Sequence, residues 1–271
     1  MHSVYDPLNK PQMTEPATTA LYEQPLNERM RSFLRMEYLY KRFDFQVAAL
    51  DPWAHRGALE ALIEIIALLG RADMKNEFIM ELERHAQTME ALQANPRVDG
   101  TRLTEILARV RALLGTLRSQ ETGFGYELRN HDLISTVRQR SSIPAGTCEF
   151  DVPTLHNWLR RPSQDRQTEL RSWLQHLDLV RECVTLCLGL VRESADPTPA
   201  VAVEGFFQRQ LEGTTPCQLV QVRIPARQTC YTEISAGRHR FTIRFMDHTD
   251  AQSRPVQVTR DIAFELSCCV I

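Results

Sequence analysis

The sequence predicts an α+β protein, a mainly α-helical body followed by a smaller antiparallel β-strand domain. Three observations predict it. Apolar residues recur at helical spacing from about Asn27 to Ser194, the period of amphipathic helices. After Ala195 the period falls to two, the signature of half-buried strands. Between the two textures stands "DPTP" at 196–199, where each proline biases the residue before it away from helix. The expected organisation is a flexible N-terminal tail over 1–20, a helical domain over 21–195 and a β-strand domain over 196–271.

Each element follows from local signals. Residues 1–20 are polar and interrupted by Pro7, Pro11 and Pro16, so they are read as a tail. The stretch "DPWAHRGALEALIEIIALLG" supplies Asp51 as N-cap and Pro52 at the first helical position. Leu59, Leu62, Ile63, Ile66 and Leu69 then share a face, and Gly70 ends the helix. Asp73 caps the next helix, with Phe78, Ile79, Leu82, Ala86 and Met89 facing inward and Asn95-Pro96 as its stop. A further helix carries Leu103, Ile106, Leu107, Val110, Leu113, Leu114 and Leu117. "TELRSWLQHLDLVRECVTLCLGLVRE" continues in the same style. In the last quarter, "CQLVQVRIP" alternates Leu219, Gln221 and Arg223 with Val220, Val222 and Ile224. "HRFTIRFMD" alternates Phe241, Ile243 and Phe245 with Arg240, Thr242 and Arg244. "PVQVTRDIAFELSCCV" alternates again. No internal repeat and no low-complexity segment is found.

Composition excludes several classes. Hydrophobic content is 43% and charged content 24%, ordinary for a globular protein. A net charge of −2 gives no global pull toward nucleic acid or an anionic membrane. No run approaches the roughly 18 apolar residues of a membrane span, and no secretory leader opens the chain. The seven cysteines have no framework spacing; Cys183 and Cys187 share a helix face as small apolar groups. A reduced, cytoplasmic protein is expected. The ending "CCVI" matches a prenylation pattern, yet it also reads as the end of a strand. Of 32 basic residues all but Lys10, Lys41 and Lys75 are arginines.

No nucleotide, nucleophile-elbow or zinc-protease motif is present, no cysteine pair has C-x-x-C spacing, and no cofactor is expected. The densest concentration of chemistry-bearing side chains is "VRQRSSIPAGTCEFDVPTLHNWLRRP", Val137 to Pro162. Cys148, Asp151 and His156 are its candidates for a nucleophilic triad or a metal site. Cys148 opens "CEFDV", read as a strand, and His156 sits in a helix, so their side chains are expected to point apart. A structural or binding role is the reading preferred.

Local charge is more informative than total charge. Arg31 and Arg35 are four apart on a helix and share a face, with Leu34 and Tyr38 beside them and Phe33, Met36 and Tyr40 opposite. Arg138 and Arg140 end another helix. Arg238, Arg240 and Arg244 come without an intervening acid, the last two on one side of a strand. These groups either converge on one basic groove or form separate solvated faces.

Three stretches decide between the alternatives: "YEQPLNERMRSFLRMEYL", "LISTVRQRSSIPAGTCEFDVPTLHNWL" and, more weakly, "GRHRFTIRFMD" with the closing "DIAFELSCC". Through them the chain resembles the ZapD family of bacterial cell-division proteins, from about Leu21 to Cys269. The first 20 residues have no counterpart in that pattern. Asp132 stands where the family can carry a basic groove residue, which makes the groove less positive on that side.

The resemblance implies a non-enzymatic protein of the cytoplasm at the mid-cell Z-ring. It implies binding to the C-terminal tail of the division GTPase FtsZ, a homodimeric state, and crosslinking or bundling of FtsZ filaments. It also implies a helical domain plus a β-strand domain, and it carries the basic groove onto Arg31, Arg35, His156, Arg240 and Arg244. Arg138 and Arg140 are added from their place in the signature. Two other classes predict different behaviour: a nucleic-acid-binding module built on the arginine groups, with steep salt dependence, and a hydrolase using Cys148 and His156.

Overall fold

A computed structural model of the chain describes residues 19–70, 73–93, 99–211, 216–226, 228–237, 239–247 and 253–270. Arg238, the Asn95-Pro96 stop and residues 1–18 of the expected tail lie outside them. Nine helices and eight strands occur among the described residues. Strand β1 (Thr19–Pro25) opens the chain. The helices are α1 (Glu28–Ala48), α2 (Pro52–Leu69), α3 (Met74–Leu92), α4 (Gly100–Ser119), α5 (Tyr126–Arg129), α6 (Asp132–Arg140), α7 (Pro153–Leu159), α8 (Ser163–Gln175) and α9 (Asp178–Glu193). Strands β2 (Thr198–Ala202), β3 (Phe206–Gln210), β4 (Cys217–Pro225), β5 (Tyr231–Ala236), β6 (Arg240–Asp247), β7 (Val256–Gln257) and β8 (Ile262–Val270) follow. The fold is α+β.

The helices begin where the chain supplies caps. Asn27 accepts the Met30 amide at 2.8 Å, and Asp51 accepts those of Trp53 and Ala54 at 2.8 and 3.1 Å, satisfying amides that lack a partner in the first turn. The stretch "TELRSWLQHLDLVRE", helical in style as expected, folds as parts of two helices, α8 and α9. The Leu177 amide closes back on the Leu174 carbonyl at 2.8 Å, and His176-Leu177 form the joint.

Two compact units divide the described residues. The larger comprises Pro25–Ala195, with the residues up to Leu219 at the start of β4 and those from Cys269 at the end of β8. Its core is a continuous apolar cluster in which Met30, Phe33, Phe43, Leu59, Leu62 and Phe78 are fully buried. The Phe33 and Phe78 rings stack at 4.9 Å, a geometry that adds about 1 kcal/mol beyond burial. Helix α1 packs most extensively on α2 and also on α9. The second contact is fixed by Arg192, whose guanidinium grips both oxygens of Glu37 at 2.7 and 2.9 Å. That fork holds the Glu37 carboxyl below the usual carboxylate range, against the opposing effect of burial.

The smaller unit holds the remaining described residues. One four-stranded sheet runs β1-β4-β8-β2; in the other, β6 lies between β3 and β5 and also pairs with β7. Alternation places Phe241, Ile243 and Phe245 in the core. The Phe264 ring packs against Phe245 at 5.2 Å and Phe207 at 5.3 Å. Strand β4 departs from simple alternation. It is an inner strand, and Leu219 and Gln221 are as buried as Val220 and Val222 on the other side. Gln221 is accommodated by donating to Glu23 Oε1 at 2.9 Å and accepting from Arg223 at 3.1 Å.

Candidate functional site

Helix α1 places its side chains as the spacing predicts. Phe33, Met36 and Tyr40 are buried, whereas Arg35 and Tyr38 are exposed. Arg31 is half-buried and pairs with Glu28 one turn back. Arg35 has no carboxylate partner among the described residues. On α6, Arg138 and Arg140 are both exposed in the last turn. Arg140 lies 3.9 Å from Asp151 Oδ1, a loose contact, and Arg138 is unpaired among the described residues. Asp132 is exposed at the start of the same helix.

In the smaller unit, Arg240 and Arg244 project from β6 on the face opposite Phe241, Ile243 and Phe245. Gln210 stands opposite Arg240, and Phe206 and Glu233 flank Arg244 on the two neighbouring strands. Both arginines are exposed, and neither forms an ion pair within 4 Å among the described residues. Other exposed arginines divide: Arg102 is tied to Glu193, Arg109 to Glu182, Arg111 to Glu90, Arg118 to Glu83 and Arg161 to Glu169, whereas Arg160 and Arg171 also lack a carboxylate partner among the described residues.

The Val137–Pro162 stretch folds around a sequence of turns. The amides of Ile143, Gly146, Cys148 and Val152 each return to a carbonyl three or four residues back, at 2.9–3.0 Å. "CEFDV" is therefore a turn and not the expected strand, because its amides are consumed locally and offer no ladder to a neighbour. Gly146 is required: a Cβ there would meet the Arg140 carbonyl and Ile143 Cβ at 2.6 Å. Ala145 holds a left-handed φ of 55°, a conformation that stores backbone strain.

The triad reading fails on contacts. Cys148 Sγ donates to Asp151 Oδ2 at 3.3 Å, while His156 Nδ1 faces Glu149 Oε1 at 3.3 Å. Nucleophile and imidazole engage different carboxylates, so the relay of a base held against the nucleophile is not formed. No cluster of metal-ligating side chains occurs among the described residues.

His156 instead lines a cleft of about 670 Å³ with Trp53, Arg56, Cys148, Phe150 and Arg160. Helix α7 presents His156 because its other face is anchored. Trp158 donates to Glu169 at 2.6 Å and stacks on Trp173 at 5.8 Å. Arg56 lies over the Trp53 ring at 5.1 Å, donates to Glu60 at 3.2 Å and also reaches Thr147. Trp53 is 72% and Phe150 84% exposed. The sequence reading missed Trp53, Arg56, Phe150 and Arg160 as lining. A signal existed for Trp53, a large ring on the first turn of α2 away from its apolar stripe. Phe150 was hidden by its assignment to a strand.

The ZapD family, described as a cell division protein, matches residues 34–244. A protein of Methylococcus capsulatus described as "Cell division protein ZapD" is 37% identical over 251 residues, covering 93% of this chain and 98% of that relative. No described helix is long and apolar enough to cross a membrane. On this match the chain belongs to the ZapD family of cell division proteins.

Proposed function

We propose that the protein binds the C-terminal tail of FtsZ and, as a homodimer, crosslinks and bundles FtsZ filaments to promote Z-ring assembly at mid-cell in the cytoplasm. The observation that carries this reading is the set of unpaired arginines. Arg35, Arg138, Arg240 and Arg244 stay exposed without a carboxylate among the described residues, unlike Arg102, Arg109, Arg111 and Arg118, which are paired internally. A guanidinium fork is built for a carboxylate, so an acidic peptide is the partner that these residues fit. Arg31, Arg140 and His156 complete the groove, their present contacts being exposed or loose ones that a ligand displaces at little cost. No cofactor, metal or catalytic step enters the mechanism. The reading assigns tail-binding residues to both the helical domain over 21–195 and the strand domain over 196–271.

A disordered tail loses conformational entropy on docking, so one site gives modest affinity, on the order of micromolar, or about −8 kcal/mol. Two sites per dimer gain by effective concentration on a filament that displays many tails. The decisive experiment is co-sedimentation of the protein with FtsZ filaments, full-length and lacking the tail. Bundles of full-length filaments only are expected. Equal pelleting of both forms overturns the reading, and tighter retention of DNA than of FtsZ favours a nucleic-acid module.

A further inference from the structure

The cleft beside His156 does not follow from a charge-based groove. Carboxylate recognition needs exposed cations, and Arg35 and Arg240 supply those. Yet α2, α7 and the 145–150 turn enclose about 670 Å³, inside the size range of cavities that hold small ligands or anchor side chains. Its rim carries two rings that the fold leaves in water, Trp53 and Phe150. Exposed aromatic rings around a concave pocket are the pattern of interface anchor points. Of the polar groups that line it, Arg56 is already held by Glu60, and His156 and Glu149 face each other at 3.3 Å. Arg160 is exposed and has no carboxylate partner among the described residues.

We infer that this cleft is an anchor pocket for the acidic tail. It seats one large apolar side chain of that tail between Trp53 and Phe150, while a neighbouring tail carboxylate rests on Arg160 and displaces Glu149 from His156. This rests on the tail-binding reading above and adds to it the chemistry of the ligand: an apolar residue next to an acid, and not a purely acidic run. The division of labour is physical. Arginine forks orient a peptide and hasten its encounter, whereas burial of an apolar side chain slows its departure.

Cys148 reports on the pocket without belonging to the recognition. It lines the cleft and is partly exposed. Cys183, by contrast, is buried and its thiol is pushed up to about 12 by burial, which leaves it protonated and unreactive at neutral pH. The experiment titrates the FtsZ tail peptide against the wild-type chain, Trp53→Ala, Phe150→Ala and, as a control, Phe45→Ala, whose ring is 83% exposed on α1 away from the cleft lining. In parallel, maleimide labelling at Cys148 is followed by mass spectrometry with and without saturating peptide. Trp53→Ala and Phe150→Ala are each expected to weaken binding at least tenfold, Phe45→Ala to leave it unchanged, and the peptide to slow labelling several-fold. Wild-type binding with undiminished affinity in both ring variants and an unchanged labelling rate overturns the pocket while leaving the tail reading intact. Failure of the wild-type chain to bind the peptide overturns both.

Discussion

Arg166 donates from Nε to His55 Nδ1 at 2.9 Å, and both side chains are buried. The imidazole must therefore carry its hydrogen on Nε2, which reaches the Ala49 carbonyl at 2.7 Å. The rest of the guanidinium serves the carbonyls of Leu159 at 2.7 Å, Leu50 at 3.3 Å and Arg161. One buried cation thus ties the end of α1, the start of α2 and the end of α7 to α8, and these are the elements that hold Trp53 and His156.

The first prediction follows from that brace. Arg166→Ala strips its partner from the buried His55 Nδ1 and from three part-buried carbonyls at once, and an unsatisfied buried acceptor costs about 1–3 kcal/mol. A total loss of about 3 kcal/mol or more is expected in chemical denaturation. Arg166→Lys should rescue little, because a single ammonium cannot span the same acceptors. His55 adds a pH signature. Burial, together with the charge of Arg166, holds its pKa below the usual 6.5. The unfolded chain therefore binds the proton first, and stability is full above about 6.5 and falls as pH drops below it. His55→Gln should flatten the melting temperature across pH 7 to 5. An unaltered slope in that variant would assign the titration to another group.

The second prediction concerns Glu81, fully buried on α3. Burial alone would push its carboxyl up. His85 and Arg84 beside it, with Arg29 donating at 2.7 Å from α1, outweigh burial and hold it at about 2. The sign is opposite to simple desolvation. Stability from this group is present above the ordinary value of 4.5 and is lost as pH falls from there toward about 2. Glu81→Gln removes the carboxylate charge that Arg29 and Arg84 share and is expected to cost about 3 kcal/mol at neutral pH. The variant and parent stability curves should converge on acidification. Parallel curves down to pH 2 would show that Glu81 does not carry the dependence.

How much of this was legible in the sequence differs by element. The caps Asp51 and Asp73 and the stripe of α2 were readable because each signal is local. The joint at His176-Leu177 was not, since no glycine or proline marks it and the break is made by Leu177 docking into the core, where it is fully buried. Strand β1 was missed for a related reason. Seven residues with a half-buried pattern carry little periodicity, and their order comes from the neighbouring strand β4. The faces of Arg31 with Arg35 and of Arg240 with Arg244 were legible from period alone. Their lack of carboxylate partners was not, because pairing is decided by residues far away in sequence, as Arg102 with Glu193 illustrates. The cleft at His156 was invisible, since its walls come from α2 and from a turn that alternation disguised as a strand.

The third prediction concerns valence. If bundling needs two tail sites, the protein should sediment at twice its 31.2 kDa chain mass. Heterodimers of one normal and one tail-blind subunit should bind filaments yet fail to bundle them. Tail-blind subunits mixed in excess with the parent should then suppress bundling in light scattering. Undiminished bundling at tenfold excess would show that one site per dimer is enough.

The last prediction concerns the arginines. Arg31 and Arg35 share a face of α1, and Arg240 and Arg244 share a face of β6. If both faces take hold of one acidic tail, charge reversal on either should weaken binding. Arg35→Glu and Arg240→Glu are each expected to cost about 1.5–3 kcal/mol, the range for a charged hydrogen bond. The double variant should lose less than the sum, since both side chains act on one small ligand. Affinity should fall with salt, because these guanidiniums are exposed and screened. Folding should survive, since neither residue pairs with a carboxylate among the described residues and exposed charges contribute little stability. The measurement is fluorescence anisotropy of a labelled tail peptide at two salt concentrations, with circular dichroism as the folding control. Asp132→Arg should act in the opposite direction, tightening binding by adding a cation at the start of α6. Full-strength binding by the folded double variant would reduce these arginines to solvated faces and place the tail elsewhere.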